Sequence, residues 1–214
     1  RGCCGFRALS VKYQWIDFRS GIALYNPFSV LNVLSKQVFY YYWFASGTPT
    51  FLAEMLRKTN YDIRELDGIE VSEVSLSDDR ANINNPVPMI YQSGYLTIKS
   101  YDERFRLYTL GYPNEEVKYG FLNFVASMYA HLPETETPFY IGKFIQELES
   151  GNTEAFLTRL KAFFADIPYE LNDRTERHYQ VVFYIVFKLL GQFTEAEVRS
   201  AQGRAEAIVK TPRY

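Results

Sequence analysis

The stretch that most constrains the fold is Tyr179 to Leu190, where only Gln180 and Lys188 break an otherwise apolar run. Asn172 to Leu190 reads as one helix, stopped by Gly191. Asp173 and Glu176 have the spacing of a capping box, with Asp in the usual Ser/Thr place. A helix apolar on nearly every side has to lie inside a domain, and the expectation is that it lies against a sheet. It does not cross a membrane: Val181 to Leu190 falls well short of the roughly 20 apolar residues that span a bilayer. The 214 residues suffice for one or two domains with their own cores.

The elements that follow this helix supply the chemistry. Glu197 to Ser200 and Arg204 to Lys210 read as two strands joined at Gln202-Gly203. Acids from the helix and from both strands, Glu176, Glu197 and Glu206, are candidates to converge at one end of a sheet. Gathered carboxylates hold Mg²⁺, a hard cation that prefers oxygen ligands. Such an ion activates water and stabilises charge on a phosphodiester. Each acid also has a plain structural reading. Glu176 is placed to cap the helix start, Glu206 to be an exposed strand acid, and Glu197 with Arg199 to form an ordinary strand pair. His178, beside Tyr179 on a buried helix, reads as a structural histidine. Arg199, Arg204 and Lys210 make the C-terminal region locally basic, as a solvated face or as a surface for nucleic-acid phosphates. Global charge gives no support for the latter, because the net charge is −2.

Upstream, Asn26 and Pro27 open a helix over Tyr25 to Ser35. Thr48 and Pro49 open another, with Phe51, Leu52, Met55 and Leu56 on one stripe. No clear period marks residues 1–24. A strand is expected over Ile69 to Ser75, a polar loop over Ser77 to Asn85, and a short helix over Pro88 to Ser93, stopped by Gly94. Tyr95 to Lys99 and Phe105 to Leu110 read as strands joined by a turn at Ser100 to Glu103. Asn114 then caps a helix whose stripe is Val117, Phe121, Phe124, Val125 and Met128. Helix, hairpin, helix resembles a winged-helix unit, a fold used on DNA in some proteins and on proteins in others. His131 to Thr137 is the linker candidate. Helices over Phe139 to Ser150 and from Asn152 to Ile167 follow.

Taken in order, several segments carry a more specific resemblance. Tyr25-Asn26-Pro27-Phe28-Ser29, Tyr42-Trp43-Phe44 with Gly47-Thr48-Pro49, Gln92 to Ile98, and Pro113 to Val117 resemble the C-terminal part of a bacterial AAA-ATPase-like domain. Asp166 to Glu170, Glu176 to Gln180 and Gly203 to Ala207 resemble the start of a PD-(D/E)XK nuclease-like domain joined to it in one polypeptide. The resemblance covers residues 25 to 213. It implies a mixed α/β, mostly helical chain. An N-terminal segment 1–24 is unassigned. Residues 25–132 are a helical lid-like region and a winged-helix-like unit. Residues 138–214 open a nuclease-like domain. Glu206 stands where that family places its first metal-binding acid, usually Asp, with Glu176 or Glu197 as accessory acid. The family's Glu-x-Lys strand does not occur after Glu206, and no G-x-x-x-x-G-K-[ST] phosphate cradle occurs at all. The expectation is therefore an internal piece of a longer protein, without a complete catalytic or cofactor site of its own. Mg²⁺ and ATP belong to the parent. Candidate partners are nucleic acid and another protein, not a membrane. Adjacent Cys3 and Cys4 suit neither a zinc knuckle nor a disulfide framework, and no signal-peptide pattern opens the chain, so a cytoplasmic setting is expected.

Overall fold

A computed structural model describes residues 14–16, 23–38, 40, 42–43, 52, 55–56, 59, 61–76, 85–129, 136–165, 176–191, 195–201 and 204–210. Among these the chain is mixed α and β, with helix predominating. It sorts into two compact units. One comprises Arg1–Tyr61 with Glu65–Phe121, the other Asp62–Arg64 with Leu122–Tyr214.

The first unit opens with a short antiparallel pair, β1 (Gln14–Ile16) and β2 (Ala23–Tyr25), in a region where the sequence shows no period. Helix α1 (Pro27–Lys36) follows as its residues dictate. The Asn26 carboxamide oxygen accepts from the backbone N–H groups of Phe28 (3.0 Å) and Ser29 (3.2 Å). Pro27 has no N–H to leave unsatisfied in that first turn. Gln37, in the left-handed region at φ 54°, ends the helix. Leu52, Met55 and Leu56 are helical and buried, as their stripe requires; Thr48, Pro49 and Phe51 lie outside the described residues.

A three-stranded antiparallel sheet comes next, in the order β3-β5-β4. β3 spans Glu70–Ser72, β4 Thr97–Asp102 and β5 Leu107–Gly111. The strand expected over Ile69 to Ser75 is shorter than its alternation suggests, because the chain turns into a one-turn helix, α2 (Glu73–Leu76). The polar loop over 77–84 lies outside the described residues. Helix α3 (Val87–Gln92) stops at Gly94, whose φ of 80° favours glycine. The β4–β5 turn falls at Glu103 to Arg106, not at Ser100 to Glu103. The Asp102 carboxylate accepts from the Phe105 N–H at 2.9 Å, and Arg106 takes φ 55°. These two features close the turn later than its polar composition indicates. A register shift between Ile98 and Ser100 leaves Lys99 as an extra residue in β4.

Helix α4 (Glu115–Tyr129) is capped by Asn114, whose oxygen accepts from the Val117 N–H at 2.9 Å. Val117 and Phe121 belong to the first unit and are fully buried; Phe124, Val125 and Tyr129 are buried in the second.

The second unit continues with α5 (Thr137–Glu149) and α6 (Thr153–Ala165). Thr137, expected in the linker, is instead the first residue of α5 and is buried; 130–135 lie outside the described residues. Gly151 at φ 73° turns the chain, and Asn152 caps α6 through the Ala155 N–H at 3.1 Å. Helix α7 (Glu176–Leu190) packs on α5 and on β6 (Glu195–Ala201) and β7 (Arg204–Lys210). Eight of its last ten residues are buried, as an all-round apolar helix requires. The residues before Glu176, with Asp173 and Pro168, lie outside the described ones. The packing of α5, α6 and α7 is built on rings. Phe144, fully buried, has its centroid 5.5 Å from Phe156 and 6.0 Å from Phe163, and Phe156 meets Phe187 at 6.3 Å, all edge-on.

Candidate functional site

Glu176 is the first residue of α7 and is exposed. Its carboxylate accepts from the Gln180 amide at 2.9 Å, one turn along the helix. The Gln180 oxygen in turn accepts from Arg64 Nη1 at 2.7 Å. Arg64 also grips Asp62, with Nε donating to Oδ1 at 2.8 Å and Nη2 to Oδ2 at 2.5 Å. A two-pronged guanidinium–carboxylate contact of this kind fixes geometry better than a point charge. Glu176 thus ends a polar chain, Asp62–Arg64–Gln180–Glu176, that ties the 62–64 segment to α7 within the second unit. Only Glu176 is legible in the sequence, because its partners join residues 116 apart.

The two other candidate acids lie on the hairpin. β6 and β7 pair antiparallel, with Glu197 opposite Ile208, Arg199 opposite Glu206, Ala201 opposite Arg204 and Glu195 opposite Lys210. Along β7, Ile208 and Lys210 are exposed and Val209 between them is half-buried. Positions 204 and 206 share the parity of Ile208 and Lys210. The side chains of Glu197, Arg199, Arg204 and Glu206 lie outside the described residues, so their convergence with Glu176 does too. Among the described residues no three His, Cys, Asp or Glu side chains gather into a group that would hold a metal ion. Glu176, exposed and bonded to Gln180, offers one carboxylate, and Mg²⁺ takes several oxygens. His178 is buried and stacks on Tyr129, with ring centroids 6.3 Å apart.

A second surface is better defined, and sequence reading missed its detail. The turn between β4 and β5 presents Phe105, 62% exposed, on a backbone held by Asp102 and Arg106. The Arg104 guanidinium lies over its ring at 4.9 Å. Behind it, Tyr101 and Tyr108 face one another across the strands at 4.7 Å, and the Ser100 hydroxyl donates to Thr109 at 2.9 Å. Helix α3, between β3 and β4, carries no charged residue, and Val87, Pro88 and Ile90 on it are buried.

Near the base of β4, Lys99 lies against Gly111 and beside Asp67, which pairs with Lys118 at 3.6 Å. Burial lowers the Lys99 pKa below its ordinary value; Asp67 opposes that shift and Lys118 adds to it.

Among the described residues no helix is long and apolar enough to cross a membrane. No protein-family model matches the chain, and no solved structure matches it. A curated protein of Azotobacter chroococcum mcd 1, described as "Uncharacterized protein in vnfD 5'region", is 33% identical over 211 residues. The match takes in 95% of this chain and 40% of that protein, so the chain spans less than half the length of the relative it matches.

Proposed function

We propose that this chain is the connecting part of a longer polypeptide of the ATPase-like and nuclease-like kind, and that its own role is positional rather than catalytic. Its first unit supplies a winged-helix-like module for protein contact. Its second supplies the opening helix and hairpin of a nuclease-like domain. The observation that carries the reading is the sheet order β3-β5-β4, with α2 and α3 inserted between β3 and β4. A first strand, then helices, then a hairpin whose second strand returns to pair with the first supports the winged-helix-like reading. DNA-reading helices present basic and polar side chains to the groove. α3 is uncharged and half-hidden, which favours protein as the partner of this module, with Phe105 as its exposed contact.

For the second unit, the support is the order helix, strand, strand, with α7 packed on β6 and β7 and an acid on each. Mg²⁺ and ATP belong in this reading to the longer polypeptide, and the reaction would be metal-dependent phosphodiester hydrolysis. The test is a cleavage assay on DNA with Mg²⁺, using the longer polypeptide and its Glu206→Gln variant. Cleavage by the parent, lost in the variant and absent from this chain alone, is expected. Cleavage by this chain alone overturns the positional role.

A second reading, a purely non-catalytic binding module, is favoured by the register. Arg199 stands opposite Glu206 and Lys210 opposite Glu195, register positions at which opposite charges support an antiparallel hairpin without any catalytic role. Salt-dependent DNA binding by the longer polypeptide without any cleavage selects this reading.

A further inference from the structure

Lys99 is the extra residue at the register shift in β4, and it is exposed. Its stem lies across Gly111 of β5, with Cγ and Cε 3.1 and 3.2 Å from the point that a Cβ at 111 would occupy. The missing Cβ is what gives the stem its seat. Asp67 Oδ1 lies 2.9 Å from the same point, beside the outer end of the stem. That carboxylate is already engaged, because its Oδ2 pairs with Lys118 at 3.6 Å. Among the described residues Lys99 closes no hydrogen bond or ion pair of its own. Two ammonium groups thus share one acid around a glycine.

We propose that Lys99 is a nucleophilic amine and a modification site, taking the acyl group of a small acyl phosphate. Packing on β5 strips water from its stem, and a second ammonium stands nearby. Both favour the neutral amine, which alone has the lone pair to attack. Burial is the largest cause acting on the Lys99 pKa and lowers it; Asp67 opposes the shift without reversing it, and Lys118 adds to it. Exposure of the residue leaves it open to a donor from solution. Two cations against one acid make the patch positive, which draws an anionic donor. In the step, the Nζ lone pair forms a bond to the carbonyl carbon. The carbon–oxygen bond to phosphate breaks, phosphate leaves with that electron pair, and the surplus proton of the amine passes to it. The amide formed is uncharged, so Lys118 then holds Asp67 without a competing cation on Lys99.

The proposal is independent of the nuclease-like reading and is tested on the 214-residue chain itself. The chain is treated with acetyl phosphate over a pH series, and acetylation at each lysine is followed by peptide mass spectrometry. Lys99 is expected to react several-fold faster than the exposed Lys161, with a rate that levels off at a lower pH than that of an N-capped lysine amide. Asp67→Asn removes the group that opposes the shift and should speed acetylation of Lys99. Lys118→Met removes the second cation and should slow it. Lys161 should respond to neither substitution. Labelling of Lys99 no faster than that of Lys161 overturns the proposal. A Lys99 rate that ignores both substitutions, or that levels off together with the amide, overturns it as well. Should a variant fail to fold, as judged by circular dichroism, the wild-type rates and their pH series decide.

Discussion

The hydroxyl of Ser29 donates to the carboxylate of Glu116 at 2.9 Å, joining residues 87 apart, both essentially inaccessible to water. The same Oε1 accepts from the backbone N–H of Trp43 at 2.8 Å. Glu116 therefore does more than complement the α4 dipole. It is the acceptor that lets the start of α1 and the Trp43 segment be buried with their donors satisfied. Replacing it with Ala strands both donors. Glu116→Ala is expected to lose about 2–4 kcal/mol, and Glu116→Gln, whose amide oxygen can still accept, distinctly less. Urea denaturation of the two variants measures the difference.

The ring cluster of the second unit makes a separate expectation. Phe144 is fully buried between Phe156 and Phe163. Phe144→Ala leaves a cavity that edge-on rings cannot close. The loss is expected to be about 3–5 kcal/mol, against less than about 1.5 for Phe144→Leu if the neighbours repack. Thermal melting followed in the near ultraviolet, where the rings report, is the check.

Alkaline pH should unfold the chain through buried phenols. Burial pushes Tyr119 up to about 12, with Glu115 adding to the shift, and burial alone pushes Tyr95 above its usual range. The folded state holds these protons more tightly than the unfolded state, whose tyrosines ionise near 10. Their contribution is full below pH 10 and is lost as pH rises through the folded values. Titration of phenolate absorbance should show late-ionising tyrosines, and Tyr119→Phe should remove one of them.

Gly111 is where β5 leaves room for its neighbours. A Cβ there would stand 2.9 Å from Asp67 Oδ1 and 3.1 Å from Lys99 Cγ. Gly111→Ala is expected to displace the Asp67 side chain from Lys118 at a cost of about 1 kcal/mol. The depressed Lys99 pKa means that stability rises with pH between its folded value and 10.5. Lys99→Met should flatten that rise, read by denaturation at a series of alkaline pH values.

What the sequence disclosed is what local physics writes into neighbouring residues. Asn26-Pro27, Asn114 and Asn152 cap their helices within three residues, and the β6–β7 hairpin follows from Gln202-Gly203 between two runs. The β4–β5 turn lies later than its polar run indicates because one Asx contact and one left-handed arginine set it, and neither residue type demands that conformation. Buried Glu116 was illegible for a different reason. An acid in a first helical turn normally faces water, and only the distant Ser29 and Trp43 make its burial tolerable. The candidate site was legible as a list of acids, but its polar chain through Arg64 depends on contacts no local pattern encodes.

Helix α4 belongs to both units, with the division falling between Phe121 and Leu122 in mid-helix. Anyone trimming the gene at that division would sever a turn and strand the carbonyls and amides that span it. Excised halves would each inherit a frayed stub in place of a packed rod. The usable places to cut lie outside 115–129, where no hydrogen bond of this helix is severed.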